Sequence, residues 1–236
     1  MAALAIDALL DGLNPEQRAA VVHEGSPLLI VAGAGSGKTR VLTHRIAYLL
    51  AARDVAPHEI LAITFTNKAA GEMAARVAAL VGPQARSMWV MTFHSACVRI
   101  LRREAKRFGY PSSFSIYDQA DSQRLMALTC RELELDAKQF PPKAMAAQVS
   151  NLKNELIDYE TFASRAQTAR EKALAEAYAE YQRRLVAAGA MDFDDLIMVT
   201  VNLFQALPEV AEQYRRRFRQ VLVDEYQDTN HAQYIL

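Results

Sequence analysis

Scarcity narrows the field first. Only two cysteines, Cys97 and Cys130, occur in 236 residues. They lie far apart without metal-ligand spacing, so neither a disulfide framework nor a cysteine-built metal centre fits; they read as small buried hydrophobes in a reducing compartment. No apolar run reaches the roughly 18 residues that a spanning helix needs. The opening MAALAIDALLDG carries an acid and no basic lead, unlike a secretory signal. Net charge is missing too: 27 Lys and Arg balance 27 Asp and Glu, so any nucleic-acid surface must be local. No repeat or low-complexity segment is present. The expectation is a soluble, cytoplasmic chain with no membrane partner, long enough for one large domain or two small ones.

What is there follows a rhythm. PLLIVA (27–32), EILAITF (59–65) and MWVMTF (88–93) are short apolar runs without polar interruption, each leading into a helical pattern. Strands of that kind, each followed by a helix, predict a parallel sheet covered on both faces, a doubly wound α/β fold. From about Ser115 to Ala190 strand signal almost vanishes and three helical patterns follow one another, with Pro141-Pro142 as a break and Gly189 as a C-terminal cap. DFDDLIMVTVNLFQAL and PEVAEQYRRRF then read as helices, and QVLVDE (220–225) returns to buried-strand character. The expected organisation is an α/β domain over 1–114, an all-helical insertion over 115–190, and the α/β domain resumed over 191–236.

VAGAGSGKTR (31–40) comes close to the phosphate-loop signature G-x-x-x-x-G-K-[ST], with Ala32 standing where the first glycine is expected. Gly33, Gly35 and Gly37 permit backbone angles that let successive N–H groups curl around an anion. The helix starting near Lys38 points its positive end at the same anion. Lys38 would place its charge on the β/γ-phosphates and Thr39 its hydroxyl on magnesium. VLVDE adds a strand ending in Asp224, which can hold magnesium through water, and Glu225, which can orient or deprotonate an attacking water. Phe65 and Phe93 end consecutive expected strands on the cradle's edge of the sheet, beside Thr64, Thr66, Thr92 and His94. Aromatic faces there would stack any base, at about 1–3 kcal/mol each. Arg99, Arg102, Arg103, Lys106 and Arg107 form one helical stripe, better read as a solvated face than as a backbone tracker; RRRFR (215–219) is equally ambiguous.

LNPEQRAAV, AGAGSGKTR, AITFTNKAAGEM, TFHS, DFDDL and VDEYQDTN occur in the order found in superfamily 1 DNA helicases, and the chain resembles most the UvrD/PcrA/Rep branch of 3′-to-5′ translocases. The resemblance covers essentially the whole chain. It implies a RecA-like P-loop domain with a helical insertion, an ATP-dependent motor using Mg2+, and single-stranded and 3′-tailed duplex DNA as partners at the nucleoid. Gln17 would read the adenine edge. Ala34, Gly35, Ser36, Gly37, Lys38, Thr39 and Arg40 would surround the phosphates, and Gln227 would sense the γ-phosphate. Phe65, Asn67, Thr92, Phe93, His94 and Phe193 would line the single-strand path. Members of this branch continue past VDEYQDTN into a second motor domain, so the sequence reads as a truncated first domain with at most weak nucleotide and single-strand binding and negligible unwinding. The alternatives are a P-loop enzyme acting on small molecules and a non-catalytic nucleotide-binding remnant.

Overall fold

The structure, a computed structural model, describes residues 6–236, apart from the side chains of Ala105 and Phe108; the start of the N-terminal segment read above lies outside the described residues. In chain order the elements are α1 (Ile6–Leu10), α2 (Pro15–Val22), α3 (Lys38–Ala52), β1 (Ile60–Thr64), α4 (Asn67–Val81), β2 (Trp89–Thr92), α5 (Phe93–Glu104), β3 (Ser115–Tyr117), α6 (Gln119–Glu132), α7 (Pro142–Asn154), α8 (Tyr159–Arg165), α9 (Ala169–Ala187), β4 (Ala190–Asp192), α10 (Phe193–Ala206), α11 (Pro208–Arg217), β5 (Gln220–Val223) and α12 (His231–Ile235). The chain forms two compact units: residues up to Phe93 with Ala211–Asp228, and His94–Val210 with Thr229–Leu236. The boundaries expected at 114/115 and 190/191 therefore both fall inside the second unit.

The first unit is built on a parallel sheet ordered β2–β1–β5, with Ala62 facing Val90 on one side and Leu222 on the other. Ile60, Ala62, Met73, Val77, Ile46, Leu49 and Leu222 share one buried cluster, which draws helices α3 and α4 onto the central strand. Ile63, on the opposite face of β1, is buried as well, and burial on both faces is why the strand carries no polar alternation. Arg217 of the RRRFR run lies 5.0 Å over the Trp89 ring, Arg216 pairs with Glu212 and Arg219 reaches Glu59. Arg217 is thus used in packing, while Arg216 and Arg219 make exposed pairs within the unit.

One expected strand is absent. Residues 27–32 form no ladder, and Leu28, Leu29 and Val31 are 41%, 67% and 88% exposed. Ile30 of the run packs against Leu10, Val21 and Val41. An uninterrupted apolar run specifies burial but not which neighbour supplies it, and among the described residues the outer edge of β5 pairs with nothing.

The second unit corrects the reading in the opposite direction. Inside a stretch read as strandless, β3 and β4 pair in parallel, Ser115 with Ala190 through Tyr117 with Asp192, and so close off helices α6 to α9 at their two ends. Helix α8 was not foreseen either. The helices bury Met126, Cys130, Met145, Val149, Leu174, Tyr178, Tyr181 and Leu185 together. Gly189, at φ +57°, follows the end of α9 as a left-handed cap should. Arg102 and Arg107 of the basic stripe are used inside the unit. Arg102 lies 3.9 Å over Phe114 and donates to Ser112 O at 2.8 Å, and Arg107 pairs with Glu104 and Glu209.

Candidate nucleotide and strand-contact site

The loop 33–37 takes its shape from two left-handed glycines, Gly35 at φ +75° and Gly37 at φ +87°. Ser36 closes the turn, its hydroxyl donating to Gly33 O at 2.7 Å. Gly37 is the N-cap of the 15-residue helix α3, whose first turn no side chain caps; its amides and the positive end of its dipole face the loop. The Lys38 ammonium curls back onto the same loop, donating to Ala32 O at 3.0 Å and Gly33 O at 3.2 Å. Ala34 and Arg40 are exposed.

Gln17 braces the cradle from outside. Asn14 caps α2, and the Gln17 side chain completes that cap by accepting from Asn14 N at 3.2 Å. Its Nε2 meanwhile donates to Ser36 O at 2.9 Å. An amide retains a further N–H and a further lone pair after those two bonds, so bracing the loop and reading a base edge are compatible. The bracing also leaves no room: a Cβ at Gly37 would stand 2.9 Å from Gln17 Nε2, whereas nothing lies within 4 Å of a Cβ at Gly33. Gly37→Ala is therefore expected to cost about 1–2 kcal/mol of stability through its left-handed backbone alone, and Gly33→Ala close to none. Thermal unfolding of the pair checks this; equal losses would contradict the geometry.

Strand β5 delivers the acids. Asp224 extends the ladder by donating its N–H to Ile63 O at 2.9 Å, and its carboxylate lies near enough to the Thr39 side chain and the Lys38 charge to feel both. Burial raises the Asp224 pKa and the neighbouring Glu225 carboxylate adds to it, while Thr39 and the Lys38 charge pull the other way. Lys38 and Thr39 thus stand on the side of the cradle near the strand-end aspartate. Glu225 sits at φ +51°, an uncommon conformation for a non-glycine residue. Its side chain is exposed and accepts from Gln227 Nε2 at 2.5 Å. Among the described residues, no three His, Cys, Asp or Glu gather as a metal centre. A magnesium ion at Thr39 and Asp224 would take most of its ligands from phosphate and water, as that ion commonly does.

The expected strand-contact residues are presented unevenly. In the first unit Phe65 and Phe93 meet edge to face, with centroids 5.8 Å apart at 70°. Phe65 is half-buried, but Phe93 is 7% exposed and offers little face to a base. Thr92 is buried, as is Thr64, whose hydroxyl donates to Thr66 O. Asn67, first residue of α4, is exposed. In the second unit His94 and Phe193 meet at 5.5 Å and 89°. Phe193 is 46% exposed. Burial lowers the His94 pKa, and Asp194 opposes it in part.

Sequence reasoning missed a polar cluster around Phe193. Lys153 of α7 is 1% exposed, and its ammonium lies 2.7 Å from Asp192 and 2.8 Å from Asp195. Tyr181 donates to Asp192 at 2.9 Å and Gln182 to Asp195 at 3.2 Å. The signal existed: Lys153 stands four residues past Val149 and eight past Met145, on a stripe that is buried. Burial would lower the lysine, but the two carboxylates hold it well above its ordinary value.

One cation facing two carboxylates leaves Asp195 with the surplus. Burial first, and Asp192 beside it, push Asp195 up to about 6, while Lys153 holds Asp192 below the usual carboxylate range against its burial. A carboxyl raised in the fold stabilises most below its unfolded value of about 4, and loses that contribution as pH climbs through the folded value. The Lys153 and Asp192 shifts contribute constantly across near-neutral pH, because their ordinary values lie outside it. Asp195→Asn is thus expected to gain in melting temperature relative to wild type on going from about pH 5 to about pH 8. A difference that is flat, or that moves the other way, would contradict the assignment of the surplus charge.

With this geometry in place, comparison with known proteins gives consistent matches. Residues 13–236 match the UvrD/REP helicase N-terminal domain. The chain is 64% identical over 234 residues to the ATP-dependent DNA helicase UvrD1 of Mycobacterium tuberculosis, covering 98% of this chain and 30% of that protein. It is 61% identical over 236 residues to UvrD1 of Mycobacterium leprae, covering 98% of this chain and 30% of that protein. To the ATP-dependent DNA helicase PcrA of Bacillus subtilis it is 53% identical over 228 residues, 97% of this chain and 31% of that protein. The chain thus spans about a third of the length of these relatives. Among the described residues no helix is long and apolar enough to cross a membrane.

Proposed function

From the premise that the chain belongs to the UvrD/REP helicase family, as its N-terminal domain, we propose that it is the ATP-binding first motor domain of a 3′-to-5′ DNA helicase acting in repair or replication. The observation that carries this is the placing of Lys38 and Thr39 near Asp224 at a glycine-shaped helix start. ATP would lie along 33–40, its phosphates on the loop amides and Lys38, with Gln17 toward the base. Thr39 and Asp224 would hold Mg2+, which supplies charge neutralisation for the phosphates. Glu225 would orient water, and Gln227, already bonded to Glu225, would carry the signal that the γ-phosphate has left. Phe65 and Asn67 of the first unit, and Phe193 of the second, would contact single-stranded DNA or the 3′ tail of a duplex; the buried Thr92 and Phe93 and the half-buried His94 would contribute with less of their surface.

The helical run α6–α9 is the insertion of this domain in the same reading. Unwinding belongs to the whole protein, because it needs two lobes closing around ATP and an arginine reaching the γ-phosphate, worth about three to five decades of turnover in related chemistry. The expected behaviour of this chain by itself is weak binding of oligo(dT) and of a non-hydrolysable ATP analogue, with no strand separation. Absence of oligo(dT) binding, even with the analogue present, would remove the DNA reading while leaving the nucleotide reading intact.

A further inference from the structure

Four consecutive residues, Asp192-Phe193-Asp194-Asp195, make the turn where β4 becomes α10, and three of them are tied to the helices beside them. Asp192 is the N-cap of α10: it accepts from Asp195 N at 2.8 Å, while Asp195 accepts back from Asp192 N at 3.2 Å. Beyond that local box, Asp192 is held by Lys153 and Tyr181, and Asp195 by Lys153 and Gln182. Asp194 accepts from Asn154 Nδ2 at 3.2 Å, and Asn154 in turn accepts from Asn230 Nδ2. Phe193 alone has no such tether; it points outward against the edge of His94.

Geometry turns those ties into an aim. Successive side chains leave a helix about 100° apart, so a one-residue slip of the first turn would put a carboxylate where Phe193 projects. Such a slip must break the Lys153, Tyr181, Gln182 and Asn154 bonds together. An all-apolar arrangement would bury this turn at lower desolvation cost, but it would not fix the angle.

We propose that Lys153 and Asn154 of α7 are positioning residues for Phe193: by holding the three carboxylates around it, they set the direction in which the aromatic ring meets a base of single-stranded DNA. This deepens the reading of Phe193 as a strand contact and rests on it. The helical run is then more than an appendage, because its α7 edge sets the stacking geometry.

The test is equilibrium binding of fluorescent oligo(dT) and, separately, of a non-hydrolysable ATP analogue, to the chain carrying Phe193→Ala, the pair Lys153→Met/Asp195→Asn, or Asn154→Ala, each checked for folding by circular dichroism. The Lys153→Met/Asp195→Asn pair removes the cation with its surplus carboxylate and keeps the Asp192 cap. Phe193→Ala is expected to weaken oligo(dT) binding between about fivefold and a hundredfold, the worth of one stacked base. The Lys153→Met/Asp195→Asn chain is expected to lose about threefold or more of oligo(dT) affinity, keep its affinity for the ATP analogue, and lose nothing further when Phe193→Ala is added, since a residue that acts through another is not additive with it. Asn154→Ala leaves Lys153 and its two carboxylates in place and removes only one donor to Asp194, so it should show the same pattern more weakly; it decides the matter if the paired variant does not fold. Additive losses, or unchanged oligo(dT) binding in both α7 variants beside a weakened Phe193→Ala, would overturn the inference alone. Unchanged binding in Phe193→Ala would overturn the stacking role and the inference with it.

Discussion

Replacing Lys38 by alanine is expected to weaken nucleotide binding by this chain about ten- to a hundredfold, with little loss of stability. A hydrogen bond to a charged group contributes about 1.5–3 kcal/mol, and the ammonium is already aimed into the loop by its bonds to Ala32 O and Gly33 O. Those carbonyls are exposed and water can replace the lysine, so the fold loses no buried charge pair. In a protein with both motor domains the same substitution should lower turnover by about a hundred- to a thousandfold, as removal of one preorganised charge-stabilising group does elsewhere. Titration with a fluorescent ATP analogue and Mg2+ reads the first effect, and phosphate release the second. Equal affinity in wild type and variant would mean that the phosphates do not lie on this loop.

The second large effect is on stability. Lys153→Met should cost about 3–5 kcal/mol, because it strands Asp192 and Asp195 against each other in the interior without a cation. A domain has only about 5–15 kcal/mol in total, so the variant is expected to unfold at much lower denaturant or fail to fold. Adding Asp195→Asn should restore part of the loss. One carboxylate then remains, and Asp192 keeps two donors, the Asp195 amide at 2.8 Å and the Tyr181 hydroxyl at 2.9 Å. Urea unfolding of the single and double variants separates the two contributions. A loss below about 1 kcal/mol in the single variant would mean that the lysine is solvated rather than sealed.

How much of this was legible depended on what a residue's identity encodes. Gly35, Gly37, Lys38, Thr39 and Asp224 could be singled out because their chemistry admits few other uses at that spacing, and the structure places Lys38 and Thr39 near Asp224. Strand β1 was readable because burial on both faces leaves a continuous apolar run, and β2 and β5 were readable as apolar runs although Val221 of β5 is 57% exposed. The same rule failed at 27–32, where Leu29 and Val31 stand in the open: a run of apolar residues states an affinity and not an address. Strands β3 and β4 escaped because three residues are too few for any periodicity, and their pairing joins Ser115 to Ala190 across the whole helical run.

Side-chain accessibility was the least legible property. Phe93 and Phe193 were both expected to line the single-strand path, yet one is 7% and the other 46% exposed. The difference lies in what packs above each ring, which no local pattern carries. Lys153 was passed over because a lysine on a helix ordinarily faces water; only the conjunction of a buried stripe through Met145 and Val149 with three acids in one later turn marks it.

The central claim is that residues 33–39 with Asp224 cradle a polyphosphate. Competition of ATP, ADP and AMP for a bound fluorescent nucleotide, in Mg2+, tests it most directly. The account predicts that ATP and ADP compete far better than AMP, because the loop amides, Lys38 and the Thr39–Asp224 pair all address phosphates beyond the first. AMP competing as well as ATP would contradict it.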